Sequence, residues 1–450
     1  MTGVRRCANQ GMTEPKRTSL SVQAERTLLV GALLGNSSAD PADPLGELRS
    51  LARTAGAAVV DEVIARPAKI NPGIYIGSGK AQEIAQRVQV GDIHTVIFDN
   101  DLSPAQIREL EKIVCAKVLD RSELILDIVA AHARTAESRL QVELAQLEYT
   151  YPRLTHMWPH LERIAGGAAA ATGGIGTRGP GEKQIEIDRR LVQKRVSMLK
   201  GQIDRIDRRK TREVRSRGEQ AFTVCLVGYT NAGKSTLMNR LTNAGALVAD
   251  QLFSTLDTKT RRWDLGDGES VLLSDTVGFL RDLPHHLVAS FRATLEEAIH
   301  ADLLLHIADA SHDRVEQQMS AAEAVLAELG CGEHRRLLVL NKIDRITDPT
   351  IRMVLAGKHP EAVFLSAATG EGLDELTRRV AHRSLGEPMR VTLRANAANG
   401  RLMQYIAQHA QVQHESFTDS TAHIEATMAQ RRVEQLRSFG GDVQIVCCAS

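Results

Sequence analysis

Eight contiguous residues constrain this chain more than any others: Gly228-Tyr-Thr-Asn-Ala-Gly-Lys-Ser235. They follow the apolar run "FTVCLV" and precede the helical pattern "STLMNRL". This is a G-x-x-x-x-G-K-S loop in its required setting, after a buried strand and before a helix. A strand–loop–helix unit of this kind belongs in an α/β domain with a mostly parallel, doubly wound sheet. The glycines let backbone N–H groups converge on phosphate oxygens. The N-terminus of the following helix adds its partial positive charge. The candidate contacts are Gly228, Tyr229, Thr230, Asn231, Ala232, Gly233, Lys234, Ser235 and Thr236. Lys234 supplies a point charge to the β- and γ-phosphates, and Ser235 a hydroxyl to Mg²⁺.

The base is selected further along. In "LNKID" the Asp344 carboxylate can accept from guanine N1–H and the 2-amino group, donors that adenine lacks. An adenine there leaves Asp344 desolvated and unpaired, at ~1–3 kcal/mol. Asn341 is expected to brace the loop and the base and the Lys342 stem to cover the base face, with Ile343 a further candidate contact of the same motif. "SAA" at Ser366, Ala367 and Ala368 is expected to offer the Ala367 N–H to the guanine carbonyl. Asp275-Thr276-Val277-Gly278 reads as a γ-phosphate sensor, with Asp275 reaching Mg²⁺ through water and the Gly278 N–H touching the phosphate. The segment Phe253, Ser254, Thr255, Leu256, Asp257 is the expected switch I. Thr255 is its candidate Mg²⁺ ligand, with Thr258 and Thr260 as alternatives. Where Ras-type enzymes carry a water-orienting glutamine this chain has Phe279, whose ring can make none of those hydrogen bonds. Lys234, Asn231 and Gly278 are therefore the candidate catalytic groups.

Around this domain the pattern divides the 450 residues further. Residues 1–20 read as a mobile tail. Residues 21–130 alternate strand and helix, with "SPAQIRELEKIV" opened by Ser103 as N-cap and Pro104 at the first helical position. Residues 131–218 change period. Leu140, Leu144, Leu147 and Tyr151 form one heptad-like seam, and Val192, Val196, Leu199, Ile203 and Ile206 another, which together predict an antiparallel helical hairpin. Its loop is read as "GGAAAATGGIGTRGPGEKQIEIDRR", with seven glycines from Gly166 to Gly181. The nucleotide domain spans 219–385. Residues 386–450 read βαββαβ, an α+β ferredoxin-like unit. No run approaches a membrane span of ~18 residues, and six cysteines without zinc spacing suit a reducing cytoplasm. A monomer is expected.

Net charge is +1, so any polyanion-binding surface must be local. Residues 174–217 carry fourteen Lys+Arg against six Asp+Glu. Arg178, Lys183, Arg189, Arg190, Lys194 and Arg195 lie on or just after the glycine-rich tip. Small residues let a backbone approach phosphates closely, and basic ones release counterions. With Tyr149, Tyr151 and Trp158 the nearest aromatics, RNA shape rather than sequence is the expected target. Two other features carry less. "YIGSGKAQEI" lacks P-loop spacing and reads as a strand-to-helix turn, and His285-His286 read as surface histidines.

Taken together, "GYTNAGKSTL", "FSTLDTKTRR", "DTVGFLRDLP" and "GGIGTRGPGEKQIEIDRR" resemble the HflX family of ribosome-associated P-loop GTPases, from about Leu28 onward. The resemblance implies a GTP/GDP- and Mg²⁺-binding hydrolase that binds the large (50S) ribosomal subunit near its GTPase-activating region. It also implies that GTP is used to dissociate or rescue stalled ribosomes under stress, and that the hairpin reaches into ribosomal RNA. GTPases with an apolar residue at the position of Phe279 resemble this chain at Asn231, and some hold K⁺ there. K⁺ is thus a candidate cofactor that could do the electrostatic work of an arginine finger. Two rival readings stay open. One is a GTP-gated assembly or hibernation factor that binds ribosomes without splitting them. The other is an ATP-driven RNA remodelling enzyme.

Overall fold

The computed structural model describes residues 25–35, 40–165, 180–242, 258–266, 269–280, 295–332, 334–386, 388–418, 420–436 and 444–447. The first unit is a four-stranded parallel sheet, ordered β2-β1-β3-β4. Its strands are β1 (Arg26–Ala32), β2 (Ala58–Ala65), β3 (Thr95–Phe98) and β4 (Lys117–Leu119). Strand β1 is buried from its second residue onward, as a central parallel strand covered on both faces must be. Alternation then sorts its side chains. Leu28 and Val30 enter one apolar cluster and Leu29 the other.

The helices of this unit are α1 (Gly46–Thr54), α2 (Ser78–Val90), α3 (Pro104–Val114) and α4 (Arg121–His132). The α3 N-terminus forms as expected, with a full capping box between Ser103 and Gln106 and Pro104 inside it. "YIGSGK" precedes α2 as a loop whose Gly77 is the N-cap, not as the end of a strand. Strand β4 and helix α4 have no counterpart in the sequence reading. Three residues are too few to show a period, and α4 is buried along most of its length, which erases its amphipathic signal.

The hairpin is present: α5 (Ala136–Ala165) and α6 (Pro180–Gln220) pack side by side. Leu199 is fully buried in the seam, and Arg195–Glu143, Lys200–Glu148 and Lys210–Glu137 ion pairs cross it. The expected loop is shortened. Pro180 opens α6, so "GEKQIEIDRR" is helical rather than loop, because proline is preorganised for the first helical position.

The nucleotide domain is a six-stranded sheet ordered β10-β9-β8-β5-β7-β6. It comprises β5 (Thr223–Gly228), β6 (Lys259–Gly266), β7 (Glu269–Asp275), β8 (Leu303–Asp309), β9 (Arg336–Asn341) and β10 (Val363–Phe364). Only β6 is antiparallel, at the edge, paired with β7. The described helices are α7 (Lys234–Leu241), α8 (Val315–Glu328), α9 (Pro349–Lys358) and α10 (Leu373–Leu385), with a further helical segment at 295–299. The C-terminal unit has the expected order: β11 (Pro388–Asn396), α11 (Gly400–His409), β12 (Gln411–Thr418), β13 (Thr421–Ala429), α12 (Gln430–Leu436) and β14 (Gln444–Cys447). Its antiparallel sheet runs β12-β13-β11-β14. No helix among the described residues is long and apolar enough to cross a membrane.

One core crosses a domain boundary. Leu48 and Leu51 of α1, Leu124 and Ile128 of α4, and Val142 and Ala145 of α5 share a single apolar cluster with Val227, Val277, Phe279 and Leu326 of the nucleotide domain. The first domain and the face of β5 behind the P-loop are therefore packed as one interior.

Candidate nucleotide-binding site

The P-loop closes as the motif requires. Gly233 caps α7 in the left-handed region at φ +93°, and a Cβ there would lie 2.3 Å from Asn341 Nδ2. Gly278 approaches from the other wall. A Cβ on it would stand 2.8 Å from Thr230 Cα and 2.9 Å from Lys234 Nζ, so only glycine allows the two walls to meet. Lys234 Nζ donates to the carbonyls of Gly228 at 3.0 Å and Tyr229 at 2.7 Å. Burial lowers its pKa to about 8, partly offset by Asp275. A cation held this way is primed for an anion, because phosphate charge replaces the hydration it has lost. Ser235 Oγ donates to Asp275 Oδ2 at 2.6 Å. This brings together a hydroxyl and a carboxylate, the hard oxygen donors that suit Mg²⁺.

Asn341 is the brace between the two halves of the site. Its Nδ2 donates to the Ala232 carbonyl at 2.8 Å, and its Oδ1 accepts from the Ala367 N–H at 3.0 Å. The expectation that Ala367 offers its N–H to guanine is thus modified, since that N–H already serves Asn341. Lys342 sits at φ +63° and pairs with Asp309 at 2.7 Å. Ile343 is buried beneath the turn, while Asp344 is exposed at its rim. Ser366 is buried and its Oγ accepts from Thr369 N, whereas Ala368 is exposed. Thr276 and Val277 direct their side chains elsewhere. The Thr276 hydroxyl donates to the Leu226 carbonyl, and Val277 joins the interdomain cluster. Any contact they make with a ligand is through the backbone. Ala232 is likewise buried, and Thr236 half-buried. Asn231 is exposed at φ +59°, a conformation asparagine tolerates.

Phe279 is 2% exposed and belongs to the interdomain core. Its N–H donates to the Gly228 carbonyl and its carbonyl accepts from the Thr230 N–H. The residue that follows the sensor glycine therefore fastens that wall to the P-loop. Phe253 to Asp257, including Thr255, lie outside the described residues, as do His285 and His286. Thr260 lies in β6, where its hydroxyl bonds Ser274 and Glu297.

The basic segment is only partly in view. Arg178 lies outside the described residues. Lys183 and Arg189 are placed by the helical backbone of α6 alone. Arg190 and Lys194 are exposed on α6. Arg195 is committed to a two-pronged pair with Glu143 at 2.7 and 2.8 Å, which raises its pKa. It clamps the hairpin instead of presenting a free charge. Tyr149 is no stacking platform, since its hydroxyl donates to Asp120 and its ring packs on the interdomain core. Sequence reasoning also missed Glu47, which accepts from the Tyr229 hydroxyl at 2.6 Å across 182 positions. No local signal marks such a pair.

Comparison with known proteins agrees with this geometry. Residues 42–130 match a family model for the N-terminal region of GTP-binding GTPases, 132–217 one for their middle region, and 223–342 one described as a 50S ribosome-binding GTPase. GTPase HflX of Lacrimispora saccharolytica is 46% identical over 354 residues, covering 78% of this chain and 81% of the relative. The chain belongs to the HflX family. GTPase HflX of Escherichia coli strain K12 is 45% identical over 80% of this chain and 83% of its own length. That of Magnetococcus marinus is 41% identical over 93% and 97%. Among solved structures, a GTP-binding protein of Sulfolobus solfataricus in complex with GDP aligns with 80% of this chain and 98% of its own, at 23% identity and a TM-score of 0.42. As a member of the HflX family, this protein is a GTPase.

Proposed function

We propose that this GTPase acts on the large (50S) ribosomal subunit in the cytoplasm, using GTP binding to dissociate or rescue stalled ribosomes and hydrolysis to reset itself. The observation that carries the reading is the nucleotide domain's match to a 50S ribosome-binding GTPase. A basic helical hairpin directly ahead of that domain supports it.

In this reading Lys234 exchanges its two carbonyl partners for phosphate oxygens. Ser235 and Asp275 would hold Mg²⁺, which would neutralise phosphate charge. The Gly278 N–H reads the γ-phosphate. Asp344, exposed at the rim, selects guanine, and Asn341 keeps that rim in register with the P-loop. Thr255 is the proposed switch I ligand. GTP then orders both switches and favours the ribosome-bound form, and hydrolysis releases them. Arg190 and Lys194, with Arg178, Lys183 and Arg189, are the proposed RNA contacts. Asn231 is the proposed K⁺ ligand, its exposed amide standing at the outer edge of the phosphate loop.

Sucrose gradients of 70S ribosomes with the protein and a non-hydrolysable GTP analogue test the proposal. Free subunits are expected. Intact 70S particles carrying the protein would overturn splitting and leave a ribosome-bound factor of the non-splitting kind.

A further inference from the structure

The second residue of the P-loop is tied to a different domain. The Tyr229 hydroxyl donates to Glu47 Oε1 at 2.6 Å, and Glu47 lies in the first turn of α1. The other oxygen of Glu47 pairs with Arg121 at 3.1 Å, and Arg121 pairs in turn with Asp99 at 2.6 Å. Arg121 is 3% exposed, so this anchor is shielded from solvent. The acceptor is a carboxylate, and a hydrogen bond to a charged acceptor is about twice as strong as a neutral one. On the loop side, Tyr229 forms an isolated parallel bridge with Phe279. Its carbonyl is also one of the two that Lys234 holds. Tyr229 thus meets the lysine and the sensor wall through its backbone and the first domain through its hydroxyl.

We propose that Glu47 is a positioning residue for the phosphate site, holding the P-loop in its binding shape from the first domain through Tyr229. The proposal rests on the GTPase reading of that site. Pinning the hydroxyl removes loop conformations that binding would otherwise have to remove, which tightens nucleotide affinity without any contact to the ligand. The coupling is reciprocal. A partner that shifts α1 and breaks the bond weakens nucleotide binding by the same factor that nucleotide opposes the shift. A cleft of about 1010 Å³ between α1, the loop at Tyr229–Asn231 and α8 leaves room for such a movement.

The test is stopped-flow binding of fluorescent N-methylanthraniloyl-GDP to the full chain. Y229F removes a single hydroxyl. E47A removes the acceptor, and E47Q keeps an acceptor oxygen without the charge. Y229F and E47A are each expected to raise Kd about tenfold, mostly through a faster koff, and E47Q by about threefold. The double variant Y229F/E47A is expected to be no worse than E47A alone, since the Tyr229–Glu47 bond is already lost in E47A, which also gives up the Arg121 pair. Wild-type koff in Y229F, or losses that add in the double variant, would overturn the proposal. So would a lowered melting temperature with unchanged koff, which would make the bond a strut between domains and nothing more. Failure of the wild-type chain to bind the probe would instead remove the nucleotide site itself.

Discussion

Lys234 makes its own pH dependence. An ordinary lysine titrates near 10.5, and here burial brings the pKa to about 8. Nucleotide phosphate favours the charged form, so binding takes up a proton once the free protein has lost it. GDP affinity is therefore expected to be flat below pH 8 and to weaken above it, by up to about tenfold per pH unit. Titration of a fluorescent GDP between pH 7 and 9.5 measures this, and a flat profile would contradict it. His306 gives the opposite sign. Burial is the largest cause lowering its pKa to about 4, so the folded state holds it neutral. Unfolded chains protonate histidine from about pH 6.5 downward, so stability is expected to fall between pH 6.5 and 4, by up to about 3 kcal/mol. Urea midpoints of wild type and His306→Leu across that range test it, the variant losing less. Phe279 invites replacement by the glutamine of other GTPases, but its place in the core argues against a gain. Phe279→Gln is expected to cost about 3 kcal/mol, because it buries an amide among apolar side chains and removes a packed ring. Intrinsic GTP hydrolysis is expected not to rise; a tenfold increase would sink this view.

The P-loop and the helix after it behave as a single element with Asn341. Alanine at Gly233 must adopt φ +93° and push aside an amide nitrogen 2.3 Å away. Gly233→Ala is therefore expected to break the Asn341 brace and weaken GDP and GTP binding together, by about a hundredfold or more at ~1.4 kcal/mol per tenfold. Equilibrium binding decides it, with folding checked by circular dichroism. The hairpin behaves differently. Its cross-helix pairs are solvated, and Arg195 is 44% exposed, so such pairs orient the two helices more than they stabilise them. Elements of this kind were legible where the signal was local. Ser103 and Pro104 are adjacent and wrote the start of α3. The βαββαβ order showed in its alternation of period. Strand β4 and helix α4 were not legible, one being too short and the other too thoroughly buried to carry a period.

At the scale of the molecule, the first domain covers the back of the nucleotide domain with a common core. Residues 219–385 alone would expose Val227, Val277 and Phe279 to water. That fragment is expected to melt well below the full chain and to self-associate in size-exclusion chromatography, as large uncovered apolar patches do. Turnover in KCl against NaCl, with and without 50S subunits, examines the proposed K⁺ at Asn231; equal rates in both salts would remove it. The sequence by itself pointed to a GTPase, since the P-loop, the sensor and the guanine motif each lie within a few contiguous residues. It determined the hairpin and the C-terminal unit for a related reason, because periodicity is a local property. Only the tertiary structure decided that Phe279 is a core residue, that Ala367 serves Asn341, and that Glu47 reaches Tyr229. Each of these depends on which faces of separate elements meet. That is set by burial shared between distant segments, and no short stretch of sequence contains it.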